Sequence, residues 1–127
     1  MANLLLAISA VADVALTNNR IVKQGSGDFA VTTAVAATDA LYGVVNEKPY
    51  GVAAGEQVDV VRVGIAWVEA GAAAARGAPV TADAVGRGVA AAPAAGSNVR
   101  IIGFFDEAPS AAGDVVRVML SPGLMQG

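Results

Sequence analysis

The sequence predicts an all-β protein: a small β-barrel or sandwich made of two related β units, with an N-terminal arm. Three observations predict it. Short Val-, Ile- and Phe-rich runs recur between clusters of Gly, Pro, Asn and Asp. No window sustains a helical period. Two stretches about 58–60 positions apart repeat one pattern.

The chain begins with Ala2–Leu16, which carries Leu4, Leu5, Leu6 and Ile8 ahead of the first basic residue, Arg20. A secretory signal needs positive charge before its apolar stretch. With Asn3, Ser9 and Asp13, the run is too short and too polar to span a bilayer. It is expected to be an apolar arm or first strand that packs on protein. Strands are expected at Arg20–Gln24, Phe29–Thr33, Leu41–Asn46, Gln57–Val63, Ala66–Glu69, Pro79–Thr81, Gly88–Ala91, Arg100–Asp106 and Asp114–Leu120. Val58, Val60 and Arg62 alternate with Asp59, Val61 and Val63, which leaves open the buried face. Ala70–Arg76 is rich in a helix-forming residue, but Gly71 and Gly77 bracket it. Ala90–Ala95 contains Pro93 and ends at Gly96, so both stretches read as loops.

The repeat aligns Tyr42-Gly43-Val44-Val45-Asn46-Glu47-Lys48-Pro49 with Ile102-Gly103-Phe104-Phe105-Asp106-Glu107-Ala108-Pro109. Ala53-Ala54-Gly55-Glu56 aligns with Ala111-Ala112-Gly113-Asp114, and Ile21-Val22 with Pro79-Val80. The expected organisation is an arm over 1–16, a β domain over 17–122 holding units 17–63 and 74–120, and a tail over 123–127. A Gly inside each central strand marks a bulge or a close backbone approach. Two such halves can close into one barrel, which removes exposed edges.

Composition narrows function. The chain has 127 residues, one domain's worth. Hydrophobic residues make up 55% and charged residues 15%, against about 25% charged in an average domain, so part of the surface is expected to be covered. The net charge is −3, and Lys and Arg are scattered singly, so nucleic acid is not an expected partner. Cys and His are both absent, which removes disulfides, thiolates, the commonest general base and the commonest metal ligand. Asp106 and Glu107 are adjacent and point apart on a strand, so they do not converge on a substrate. Gln24-Gly25-Ser26-Gly27-Asp28 lacks the Lys-Ser/Thr of a phosphate loop and reads as a hairpin turn, like Thr81–Arg87 in the second half. No catalytic residue, metal or cofactor is called for.

The run Val68-Glu69-Ala70-Gly71, continuing through Gly77-Ala78-Pro79-Val80-Thr81 to Gly86-Arg87, carries a further pattern. It is followed by Ile102-Gly103-Phe104, Glu107-Ala108 and Ala112-Gly113-Asp114-Val115-Val116. Together these resemble the capsid cement, or decoration, proteins of tailed bacteriophages, over residues 17–120. Ala78 departs from the Asp usual before the Pro in that family. The resemblance implies a compact β domain, usually trimeric, on the outer capsid surface of the virion. Its partners would be the major capsid protein and copies of itself, with no membrane and no nucleic acid. Candidate interface residues are Leu4, Leu5, Leu6 and Ile8 of the arm, Tyr50 beside Pro49, and Trp67. For Trp67 the core is the default and an interface hot spot the alternative. Competing readings are another virion role, as a head fibre base or tail-associated domain, and a soluble β-barrel that binds a small ligand. One Trp, two Tyr and three Phe leave few aromatics for a sugar site.

Overall fold

A computed structural model describes residues 4–46 and 48–127. Glu47 and residues 1–3 lie outside the described residues, as does the side chain of Leu4. Nine strands form one sheet: β1 (Leu4–Ala12), β2 (Arg20–Gln24), β3 (Ala30–Thr33), β4 (Leu41–Val45), β5 (Gln57–Glu69), β6 (Pro79–Ala82), β7 (Gly88–Ala90), β8 (Asn98–Phe105) and β9 (Val115–Gln126). The fold is an all-β small barrel, with no helix among the described residues.

The sheet order is β1-β3-β2-β4-β5-β9-β8-β6-β7, and β1 also pairs with β5. That extra pairing closes β1, β3, β2, β4 and β5 into a barrel without free edges. Its interior is Ala10, Ala12, Leu16, Val22, Val31, Val45, Val52, Val58 and Val60. Apart from Leu16 these are small or β-branched residues, the kind that fill a narrow barrel from a pleated surface. The second unit winds β5, β9, β8, β6 and β7 in the same sequence. A single parallel bridge, Ala70 to Gly88, stands where the parallel β1–β3 pairing stands in the first.

The expected strands Gln57–Val63 and Ala66–Glu69 are one continuous strand, β5. Gly64, at φ 109°, lets the strand bend and change barrels, a conformation side-chain-bearing residues rarely adopt. The first half of β5 ends the first unit and the second half begins the next. Val58 pairs with Ala10 of β1, and Val68 pairs with Val116 of β9. Val60 pairs with Ile8, and Ala66 with Val118.

Of the two expectations for the start of the chain, an arm or a first strand, residues 4–12 take the second. β1 is the first strand of unit one, the counterpart of Gly64–Ala70. The backbone bonds agree. Ala12 N–H donates to Glu56 O (3.0 Å) and Gly55 N–H to Ala12 O (2.7 Å). Ala70 N–H donates to Asp114 O (2.7 Å) and Gly113 N–H to Ala70 O (2.8 Å). The repeat boundary therefore lies inside β5. The expected tail is also sheet: Gly123–Gln126 continue β9 along Asn98–Ile101 of β8. Pro122 falls at the register shift there, where a missing N–H breaks no ladder.

The two units share a second hydrophobic cluster. The outer wall of the first barrel (Ile21, Ala34, Val44 and Val61) packs with Ala66, Val68, Val80, Ile102, Phe105, Val116, Val118 and Leu120 of the second. Ionic and backbone contacts rim this seam. Arg20 reaches Glu69 (3.2 Å) and the carbonyl of Val85 (3.0 Å), and Ile21 N–H donates to Gly86 O (2.7 Å).

Candidate interaction surface

Both faces of several strands are apolar, so filling two small barrels leaves apolar side chains outside. Ile65 of β5, Met119 of β9 and Phe104 of β8 stand directly opposite one another across three strands, with Pro79 of β6 next in line. Met119 is 47% exposed and Phe104 40%, while Ile65 and Pro79 are half-buried. Two positions before Ile65 on β5, Val63 pairs with Leu6 of β1. Leu6 is 45% exposed and Leu5 77%. The bend at Gly64 separates this pair from the Ile65–Met119–Phe104 row, so the exposed apolar side chains fall in two groups, one on each unit. Exposed apolar groups of this kind mark contact surfaces.

Of the residues singled out from the sequence, Leu5, Leu6 and Ile8 lie on β1 with exposed side chains, beside the first half of β5. Trp67 lies on the second half of β5, half-buried, opposite Arg117. Its backbone is clamped by Asn46. Trp67 N–H donates to Asn46 Oδ1 (3.0 Å), and Asn46 Nδ2 donates to Trp67 O (2.8 Å) and Asn19 Oδ1 (2.9 Å). Tyr50 is fully exposed and stands apart from the row. Its loop is tied down through Leu16, whose N–H donates to Val52 O (2.8 Å). Phe104, Met119, Ile65 and Val63 were not singled out. Their signal was present as unbroken apolar runs, Phe104-Phe105 and Val118-Met119-Leu120, in which one residue must face outward.

The polar groups near these faces build turns and ion pairs. Asp106 sits between Arg76 (3.9 Å) and Arg117 (3.7 Å), and Glu107 accepts from Arg117 N–H (3.1 Å). Asp83 accepts from Val85 N–H (2.9 Å), Arg87 N–H (2.9 Å) and Arg87 Nε (3.0 Å), closing the β6–β7 hairpin. The Gly-rich loop is held by Asp13, which accepts from Ser26 N–H (2.7 Å). A cleft of about 160 Å³ between Leu41, Arg100, Ile101, Pro122, Gly123 and Leu124 holds one charged side chain and no acid–base pair. Among the described residues, no three metal-ligating side chains come together. Among the described residues, no helix is long and apolar enough to cross a membrane.

At the mouth of the first barrel, the Arg62 guanidinium lies 3.7 Å from the centre of the Tyr42 ring. Arg62 Nε is buried and has no hydrogen-bond partner among the described residues. Such stacking stabilises by about 0.5–2 kcal/mol.

These features define a β scaffold with exposed apolar side chains on both units. The chain belongs to the XM1 gp53 minor capsid protein family, whose sequence model matches residues 6–120. It is a phage structural protein of the minor capsid class. Its fold is shared with the crystal structure of the head fiber gp8.5 N base in bacteriophage phi29, with a TM-score of 0.68. Identity to that protein is 21%, covering 91% of this chain and 93% of that one. No curated protein sequence matches the chain.

Proposed function

We propose that this protein is a capsid cement, or decoration, protein that binds the outer surface of the shell as a homotrimer. In this reading the major capsid protein is its main partner. The exposed apolar side chains of β1, Leu5 and Leu6, together with Met119 and Phe104 of the second unit, carry the proposal, because they offer apolar contact to the shell and to other copies. A subunit bound across a seam favours the closed shell by mass action. Several weak contacts made together by linked copies suffice for firm attachment. The test is to add the purified protein to capsids stripped of minor proteins and image them. Density at regular outer-surface sites, with greater resistance of the shell to heat, supports the role. Binding to tails alone, or none at saturating protein, overturns it.

The likeness to a head fibre base favours a second reading, in which the chain seats a fibre on the head. Images that show a projecting fibre joined to this density would select that reading over cementing.

A further inference from the structure

The two units present the same pair of faces, and in each case one face is covered inside the chain while its counterpart is more exposed. In unit one, Ile21, Val44 and Val61 stand in direct register across β2, β4 and β5. All three are buried against unit two. Their counterparts are Pro79, Phe104 and Met119, in the same register across β6, β8 and β9. On that wall Phe104 and Met119 are exposed and Pro79 is half-buried. The surface that covers the first wall includes Ala66, Ile102 and Leu120 at the mouth of the second barrel. Their counterparts in unit one are Ile8, Tyr42 and Arg62. Ile8 is exposed, and Tyr42 and Arg62 are half-buried.

We propose that a second copy of this chain covers the exposed wall. The Pro79–Phe104–Met119 wall of one copy docks on the Ile8–Tyr42–Arg62 mouth of the next, repeating between chains the contact made once within each. The proposal specifies the self-association assumed in the functional reading above. The contact is heterologous, joining two different faces, so it propagates until the rotation closes a ring. Three copies would make a ring of six units. The repetition concerns faces and not strand exchange, because β9 runs on into a ribbon with β8 where β5 runs on into unit two. The polar rim of the internal seam is not repeated either. Ala78 stands at the position of Arg20, so the Arg20–Glu69 ion pair has no counterpart between copies, and Arg62, stacked on Tyr42, brings a charged group to the docking mouth.

The chain lacks cysteine, which makes a disulfide test clean. Ile8→Cys and Phe104→Cys are made separately in the full-length protein, each checked for native circular dichroism, and oxidised alone and mixed. The mixture should give an 8–104 cross-linked dimer, and neither variant alone should cross-link. A cross-link in either variant alone shows a two-fold contact and overturns the proposal, as does no cross-link in the mixture at millimolar protein. As a second measurement, Met119→Glu and Ile8→Glu should each lower self-association at least tenfold. Mixed, they should recover a dimer through the one intact pair of faces, and failure to recover it counts against two-face docking. Capsid binding is scored separately by co-sedimentation. Binding to capsids without the 8–104 cross-link refutes this contact and leaves the capsid role standing; the converse result does the reverse.

Discussion

Gly43 and Gly103 occupy one position in two copies of the same structure. A Cβ on Gly43 would press on the carbonyl oxygen of Val61, and a Cβ on Gly103 on the carbonyl oxygen of Met119. Val22 pairs with Gly43 and Val80 with Gly103. Each glycine lets its strand cross close over the last strand of its own unit, beside a register irregularity that lies in the β2–β4 ladder at Gly43 and in the β8–β9 ladder at Gly103.

Gly43→Val and Gly103→Val should therefore each destabilise the protein by about 1–3 kcal/mol or more, because backbone cannot give way as a flexible side chain can. Gly27, with open space around its Cβ position, is the control: Gly27→Ala should be neutral to slightly stabilising. Urea unfolding followed through the single tryptophan measures all three. Equal stability of the Gly43 and Gly27 variants would contradict the close crossing.

Removal of residues 2–12 should unfold the first barrel rather than trim an appendage. Ala10 and Ala12 lie in its core, and β1 supplies both closing edges, to β3 and to β5. The truncated chain should lose its cooperative thermal transition or melt far lower, as calorimetry can show. An unchanged melting temperature would mean that β1 adds nothing to the barrel.

Asn46→Ala should cost about 1–3 kcal/mol, since it orphans the Trp67 amide and carbonyl together. Asn46→Asp keeps the acceptor and loses both donors, so it should fall between Ala and the native residue. Denaturation midpoints of the three proteins give the order. In unit two the same position is Asp106, which faces Arg76 and Arg117 instead, so the two halves hold this corner by different chemistry.

Asp39 ties down the loop before β4. Burial raises its pKa, but amide donors from Val35 (2.8 Å) and Ala36 (3.0 Å) and the nearby Lys23 ammonium outweigh this and hold it below its ordinary 3.8. A carboxylate depressed in the folded state adds stability that is complete above its ordinary pKa and is lost as pH falls below it. Asp39→Asn should lower stability at neutral pH and flatten its decline below about pH 4. Melting curves across pH 2–7 (about the range where carboxylates titrate) should show both effects. A variant with an unchanged acid slope would assign that decline to other carboxylates.

Much of this molecule was legible from the chain alone. Alternation and turn residues determined that it is β throughout, and nearly every strand lay within a few residues of its expected place. The alignment of Gly43 with Gly103 pointed to a duplicated scaffold. Those are local or compositional properties, written in neighbouring residues. What only the tertiary structure decided is where each apolar face goes. β1 looked like an arm because its partner, the first half of β5, lies some fifty residues away, and the matching half of β5 was hidden inside a longer strand bent at Gly64. Val44 and Phe104 look alike in the sequence, yet one is buried and the other exposed. The difference is that the second unit packs over the wall that holds Val44, while Phe104 stands on the exposed wall of the second unit.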